Sequence, residues 1–191
     1  MDQLKKFIAL LTLISVIAVL SACSTKSTLE LIETKVDIIN DKDITGSMTL
    51  QEGEKAGQEV VPTSLYYSFT IMNKRNKENG DTTEGITARI EPNNKLLTVS
   101  NEVMGFNIFN PTEYNNSGLG YGQYFNGVIR PNIDGQYVLI YELGINEETT
   151  EAPLAPSKEQ LDKLKTNALD ATLIVSFANE EIARFDLSKK E

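Results

Sequence analysis

Histidine and tryptophan are absent from this chain of 191 residues, and cysteine occurs once, at Cys23. Without histidine the chain cannot build a Ser-His-Asp or Cys-His catalytic centre, or a histidine-ligated metal site. With one thiol it cannot form an internal disulfide or a cysteine metal site. Catalysis would have to use a carboxylate pair, a Ser–Lys pair or a metal bound by oxygen alone, so an enzyme is disfavoured.

Positive charge is also scarce. Lysine and arginine number 18 against 27 aspartates and glutamates, which gives a net charge of −9 at pH 7. Phosphate binding needs clustered basic side chains. The one short basic cluster, residues 74–77, has the composition of a solvated turn. The charge pattern therefore argues against nucleic-acid binding.

The first residues of the chain have the features of an export signal. Lys5 and Lys6 precede an apolar run over residues 7–20. As a helix this run would span roughly 21 Å, which is less than the ~30 Å hydrocarbon core of a bilayer. The length favours a secretory signal peptide over the alternative, a permanent transmembrane helix.

The residues Leu20, Ser21, Ala22 and Cys23 follow this run. They resemble the lipobox of bacterial lipoproteins, in which Leu, a small residue and Ala or Gly precede the modified Cys. The resemblance implies that Cys23 receives a diacylglyceryl group and that the chain is cleaved before it. The protein would then be anchored by lipid at the extracytoplasmic face of the cell membrane.

These features divide the chain into three parts. We expect a lipoprotein signal peptide over residues 1–22, a lipidated tether over residues 23–28 and one domain over residues 29–191. A domain of this length can bury its own core. Because the domain is acidic, we expect an anionic membrane surface to hold it off except at its lipid.

Alternating polarity recurs along the expected domain. It is present in residues 65–72, 85–90, 137–143, 173–177 and 182–187. Period-two alternation between Gly-, Asn- and Pro-containing turns predicts a mainly β fold, an antiparallel sandwich. The last two segments are separated by a short loop and predict a hairpin.

Two further segments require a choice between helix and strand. Residues 28–40 fit both patterns, and we favour a strand because Thr, Val and Ile dominate. Residues 157–168 predict one short α-helix, since Ser157 and Gln160 have capping-box spacing before an apolar stripe. We expect this helix to pack on an edge or end of the sandwich.

Residues 134–139 resemble the start of the sixth strand in immunoglobulin-like domains. In that family a Tyr after a turn forms the tyrosine corner, and Tyr137 would take this position. With the number of strands, the resemblance implies an immunoglobulin-like sandwich. The whole pattern is also similar to small surface lipoproteins of Gram-positive bacteria.

Residues 41–52 carry oxygen-bearing side chains at the spacing of an EF-hand calcium loop. The candidate ligands are Asp41, Asp43, Thr45 and Glu52. Ile44 is apolar where such loops are polar, and no clear helix precedes the segment. We therefore favour the alternative, a turn that leads into a short strand over residues 44–50, with no cofactor.

Residues 107–127 are rich in Gly, Asn and Tyr, and the segment is longer than a simple connection requires. Such a composition is typical of binding surfaces. The candidate contact residues are Tyr114, Asn115, Asn116, Tyr121 and Tyr124. Tyrosine rings beside amides suit sugars or peptides of a cell wall. The alternative is a loop that buries its own aromatic rings and closes one end of the sandwich.

Together these patterns predict a lipoprotein with a non-catalytic binding or interaction role at the cell envelope. The expected ligand is a cell-wall glycan or peptide. A second possibility is an accessory lipoprotein that docks on another envelope protein, and a third is a hydrolase that uses carboxylates. The acidic residues are scattered, so no spacing indicates a catalytic pair.

Overall fold

The computed structural model describes residues 28–81, 85–125, 127–147 and 149–189. The expected signal peptide, Cys23 and the tether up to residue 27 lie outside these residues. The predictions about them therefore stay predictions. Within the described residues, no helix has the length and apolar character needed to cross a membrane.

The described residues form eleven strands and four helices, numbered here in chain order. The strands are β1 (Leu29–Ile39), β2 (Met48–Thr49), β3 (Glu59–Val60), β4 (Thr63–Asn73), β5 (Asn79–Gly80), β6 (Ile86–Pro92), β7 (Tyr121–Tyr124), β8 (Val128–Ile129), β9 (Asp134–Gly144), β10 (Ala171–Phe177) and β11 (Glu180–Asp186). The helices are α1 (Lys42–Thr45), α2 (Asn94–Met104), α3 (Pro111–Asn115) and α4 (Lys158–Asn167).

Two antiparallel sheets make up the body of the domain, with strand orders β1-β4-β9-β7 and β11-β10-β6. The mainly β, antiparallel prediction is confirmed. When the four two-residue strands are left aside, the seven longer strands lie in the order 1-2-5-4 and 7-6-3 along the chain. Constant-type immunoglobulin domains have this order. The immunoglobulin-like assignment remains a prediction, and the strand order supports it.

The core lies between the two sheets and follows the alternation seen in the sequence. Along β4 the inward side chains are Leu65, Tyr67, Phe69 and Ile71, all fully buried. The opposite sheet contributes Leu173 and Val175 from β10, which are also fully buried. Complete burial of one such side chain contributes about 1.5–3 kcal/mol. This repeated burial fixes the register of the central strands.

Three local predictions are confirmed. Residues 28–40 contain the strand β1, and β10 and β11 form the expected hairpin. Helix α4 begins after the N-cap Ser157, whose backbone N–H donates to Gln160 Oε1 at 2.9 Å, while its hydroxyl accepts from the Gln160 N–H. The capping box therefore forms as its spacing indicated.

The prediction of a single helix is wrong. Helix α2 begins after Asn93, whose side chain accepts hydrogen bonds from the N–H groups of Lys95 and Leu96. Leu96 and Val99 are buried, and Gly105 ends the helix in the left-handed conformation, with φ 80°. Helices α2 and α4 pack against each other and cover one end of the sandwich.

The predicted tyrosine corner is also wrong. The strand that contains Tyr137 is the fifth of the seven longer strands, and it lies inside a sheet between β4 and β7. The hydroxyl of Tyr137 lies over Gly135, where an added Cβ would be 2.3 Å from it. Tyr137 therefore covers a glycine of its own strand and does not form a corner.

Antiparallel connectivity places the loops at two opposite ends of the sandwich. Thr28 and the described residues of three connections, 74–81 with 85, 125 with 127–133, and 178–179, belong to what we call the Thr28 end. All four described helices belong to the other end, which we call the helical end. The domain therefore has two structurally different ends along its long axis, one with Thr28 and one with the helices.

Candidate functional site

A groove of about 900 Å³ opens at the helical end, between the end of α2, helix α3 and the segment before α4. Its apolar lining includes Met104, Phe106, Leu143, Pro153, Leu154 and Pro156. The volume lies within the range of small-ligand pockets, which are mostly apolar with a few placed polar groups. The groove is therefore the candidate functional site.

One wall of the groove is an extended segment that pairs with the end of β9. The N–H of Ile145 donates to the Pro153 carbonyl at 2.9 Å, and the N–H of Ala155 donates to the Ile145 carbonyl at 2.8 Å. At Gly144, where φ is 127°, an added Cβ would lie 2.7 Å from two backbone atoms of this segment. Glycine is required at position 144 because the two backbone segments of the chain approach so closely. Leu154 is held at the groove with 55% of its surface exposed.

The opposite wall is fixed by a buried serine. The hydroxyl of Ser100 on α2 donates to the Phe106 carbonyl and accepts from the N–H of Ile108, both at 3.0 Å. Ser100 is fully buried, so these bonds satisfy a polar group that would otherwise be costly to bury. They hold the turn after α2 and place Phe106 in the groove. Composition did not single out Phe106 or Ser100.

The polar rim comes from helices α3 and α4 and from the residues that adjoin their ends. Its members are Glu113, Asn116, Ser117, Ser157 and Gln160. Glu113 is held in place, since one carboxylate oxygen accepts from the Asn107 N–H at 3.0 Å and the other from the Asn110 side chain at 2.7 Å. The rim thus places one negative charge and several neutral hydrogen-bonding groups beside an apolar surface.

Tyr114 belongs to the core and not to an exposed surface. Tyr114 is 2% exposed, and the one proton of its hydroxyl is shared between the carbonyl oxygens of Gly120 and Glu142, at 2.7 and 2.8 Å. Burial raises the pKa of the Tyr114 hydroxyl above its ordinary value. This placement contradicts the predicted role of Tyr114 as a contact residue. For Tyr114 the structure agrees with the alternative prediction, in which the loop buries its own aromatic rings and closes the end of the sandwich.

The other predicted contact residues are separated from one another. Tyr121 and Tyr124 lie three residues apart on β7 and so point to opposite faces of the sheet. The Tyr121 ring packs on Tyr141 with centroids 5.1 Å apart, and burial raises its pKa to about 12. Tyr124 is 65% exposed. Asn116 lines the groove, whereas Asn115 lies exposed at the end of α3.

The candidate calcium ligands form local hydrogen bonds instead of a shared site. Asp41 is the N-cap of α1 and accepts from the Asp43 N–H at 2.9 Å, and the Thr45 hydroxyl donates to the Asp41 carbonyl. The backbone N–H of Glu52 donates to the Glu151 carboxylate. Within the described ranges, no three acidic, His or Cys residues are grouped to hold a metal ion. The expected strand over residues 44–50 is reduced to β2.

No protein-family model, no curated protein and no solved structure matches this chain. Its function must therefore be inferred from the groove and from the charges at the two ends of the sandwich.

Proposed function

We propose that this chain is a lipoprotein held at the extracytoplasmic face of the cell membrane through Cys23, and that its domain binds a peptide segment of the cell envelope without catalysis. The observation that carries the proposal is the apolar groove at the helical end. Strand β1 has 11 residues and spans about 35 Å from Thr28 to that end. The groove would therefore face away from the membrane that holds the lipid.

The lining of the groove favours a peptide over a glycan. Sugar sites use aromatic faces beside amides, and the exposed rings at Tyr121 and Tyr124 point in different directions. The groove instead presents aliphatic side chains, two prolines and Phe106. These surfaces suit the apolar side chains of an extended peptide, and the amides of Asn116 and Gln160 suit its backbone.

Charge further defines the ligand. In the described residues of the helical-end connections, 40–62, 93–120, 145–147 and 149–170, there are twelve acidic and six basic residues, a net charge of −6. A negative surface around an apolar groove favours partners with positive charge at their rim. The proposed ligand is therefore an extended segment with apolar side chains flanked by lysine or arginine.

The groove offers less support for a hydrolase. Glycoside hydrolysis uses two facing carboxyl groups. Among the described lining residues, Glu113 is the one carboxylate, and both of its oxygens already accept hydrogen bonds within the loop. Its role in the groove is that of a fixed charge at the rim.

A binding assay with the full chain tests the proposal. The chain is reconstituted with its lipid in phosphatidylcholine nanodiscs and titrated with a fluorescent decapeptide, leucine-rich in the middle and lysine-flanked. We expect saturable binding that Leu154→Asn weakens about tenfold, which corresponds to ~1.4 kcal/mol. A glutamate-flanked peptide of the same length should bind more weakly than the lysine-flanked one.

The matched control is Ile44→Asn. Ile44 lies at the same end and is 49% exposed, similar to Leu154, but it lies outside the groove. This variant should bind the peptide as the unaltered chain does, and circular dichroism should show that both variants are folded. Equal loss in the two variants, or equal binding of both peptides, would contradict the proposed site.

A further inference from the structure

The two ends of the sandwich differ in charge. Among the described residues, the connections at the helical end have a net charge of −6, whereas those at the Thr28 end contain four basic and two acidic residues, a net charge of +2. The chain as a whole has a net charge of −9. The strand ends that adjoin the Thr28 end add the acidic residues Glu30, Asp134, Glu180 and Glu181. The Thr28 end is therefore less acidic than the helical end, and it carries most of its basic residues in its connections.

The Thr28 end is also the end nearest the proposed lipid. Thr28 follows Cys23 by five residues, which reach at most about 18 Å when fully extended. The backbone N–H of Lys74 donates to the Thr28 carbonyl at 2.9 Å, and Leu29 pairs with Asn73. The turn that begins at Lys74 is thus fastened beside the point where the domain meets its tether.

Exposed cations and one exposed apolar side chain lie at this end. Arg75, Lys77 and Arg130 are exposed, and none of the ion pairs among the described residues includes them. Ile133 is 55% exposed and borders the same shallow cavity as Arg130, of about 530 Å³. Basic side chains beside an exposed aliphatic group are the combination that binds the headgroup region of anionic membranes.

We propose that the Thr28 end contacts the anionic surface of the bilayer, so that the domain stands on the membrane with its groove outward. The proposal rests on the lipid anchor inferred above. Glu78 and Asp134 at the same end limit the attraction, so the contact orients the domain while the lipid holds it. Repulsion of the acidic helical end by anionic lipid acts in the same direction.

Spin labels at the two ends test this orientation. Ile133→Cys and Ile44→Cys are made separately in the full chain, in which the lipidated Cys23 has no free thiol to label. The lipidated proteins are reconstituted in vesicles of phosphatidylcholine and phosphatidylglycerol. We expect the label at position 133 to collide mainly with membrane-dissolved oxygen, and the label at position 44 mainly with a water-soluble nickel complex.

Charge reversal provides the matched comparison. Arg75→Glu, Lys77→Glu and Arg130→Glu together should move the label at position 133 into water while the chain stays bound to vesicles. Reversing three lysines of the helical end changes the total charge equally and should leave that label at the membrane. These control substitutions are Lys42→Glu, Lys55→Glu and Lys158→Glu.

The outcomes separate the orientation from the anchor. If lipidated chains bind the vesicles but labels at positions 133 and 44 are equally aqueous, the proposed contact is overturned and the anchor stands. If mass spectrometry finds no acyl group on Cys23 and the chain does not sediment with vesicles, both proposals are overturned. A label at position 133 that responds equally to both sets of charge reversals would also overturn the proposed contact.

Discussion

Tyr114 connects helix α3, strand β9 and one wall of the groove. Its hydroxyl bonds to carbonyl oxygens before β7 and on β9, and its ring lies 6.2 Å from that of Phe106 and 5.9 Å from that of Tyr141. Since Phe106 lines the groove, Tyr114 acts on the site by holding Phe106 and α3 in position. Tyr114 itself does not line the groove.

Tyr114→Phe should destabilise the domain by about 1–3 kcal/mol, because the Glu142 carbonyl oxygen loses this hydroxyl donor. The Gly120 carbonyl still accepts from the Glu142 N–H at 3.1 Å. The measurement is the free energy of unfolding from urea titration. The control is Tyr124→Phe, where the hydroxyl is on an exposed ring and the expected change is within about 0.5 kcal/mol. Comparable losses in the two variants would show that the bonds of Tyr114 contribute nothing special to stability.

The burial of Tyr114 also shows what the sequence could not reveal. A segment rich in Tyr, Asn and Gly has the same composition whether it contacts a ligand or closes a sandwich. The difference arises from bonds to Glu142, which is 28 residues away in sequence. The groove has the same origin, since Leu143 and Leu154 line it together through the pairing of Leu154 with Ile145. Such long-range contacts leave no local pattern.

At the scale of secondary-structure elements, local sequence signals predict more of the structure than they do at the groove. The alternation of β4, the hairpin of β10 and β11, and the capping box of α4 were all readable, because each depends on residues close in sequence. Helix α2 had comparable signals, with Asn93 as its N-cap and Gly105 at its end. Helix α2 is therefore encoded as locally as α4, and the prediction of a single helix is wrong at a place where the sequence carries both end signals.

Gly105→Ala should cost about 1 kcal/mol and shorten or loosen the end of α2. An added Cβ would meet no atom within 4 Å, so the cost comes from the positive φ alone. Gly105→Asn should cost less, since asparagine tolerates this conformation better. Thermal unfolding followed at 222 nm measures both variants.

Gly122→Ala is the comparison for this prediction. Gly122 has no positive φ, and its added Cβ would be 3.5 Å from Ile140, an ordinary contact. The unfolding temperature of the Gly122→Ala variant should be unchanged or slightly increased. If the Gly105 and Gly122 variants unfold at the same temperature, the left-handed cap does not explain the glycine at the end of α2.

At the scale of the whole molecule, buried tyrosines predict alkaline unfolding. Burial raises the pKa of Tyr137 and of Tyr121 to about 12, and it raises the pKa of Tyr67, Tyr114 and Tyr141 as well. In the unfolded chain a tyrosine ionises at about pH 10. Above that pH the folded state holds more protons than the unfolded state, so stability is full below pH 10 and falls as the pH rises towards 12.

The urea midpoint should therefore be constant up to about pH 10 and then fall. For a fully buried ring such as Tyr137, the loss is about 1.4 kcal/mol per pH unit over this range. Tyr137→Phe should make the fall less steep, since one titrating group is removed. A midpoint that does not change between about pH 9 and pH 11 would contradict the prediction.

The antiparallel pairing of β1 with β4, from Leu29 opposite Asn73 to Ile39 opposite Ser64, has a mechanical consequence. A lipid pulling at Thr28 and a partner pulling at the groove would load the domain along the axis of β1. The hydrogen bonds of this pair run across the strands. Such a load would shear them all together instead of opening them one by one. In the proposed arrangement, with the lipid at one end and a ligand in the groove at the other, the β1–β4 pair would resist this tension.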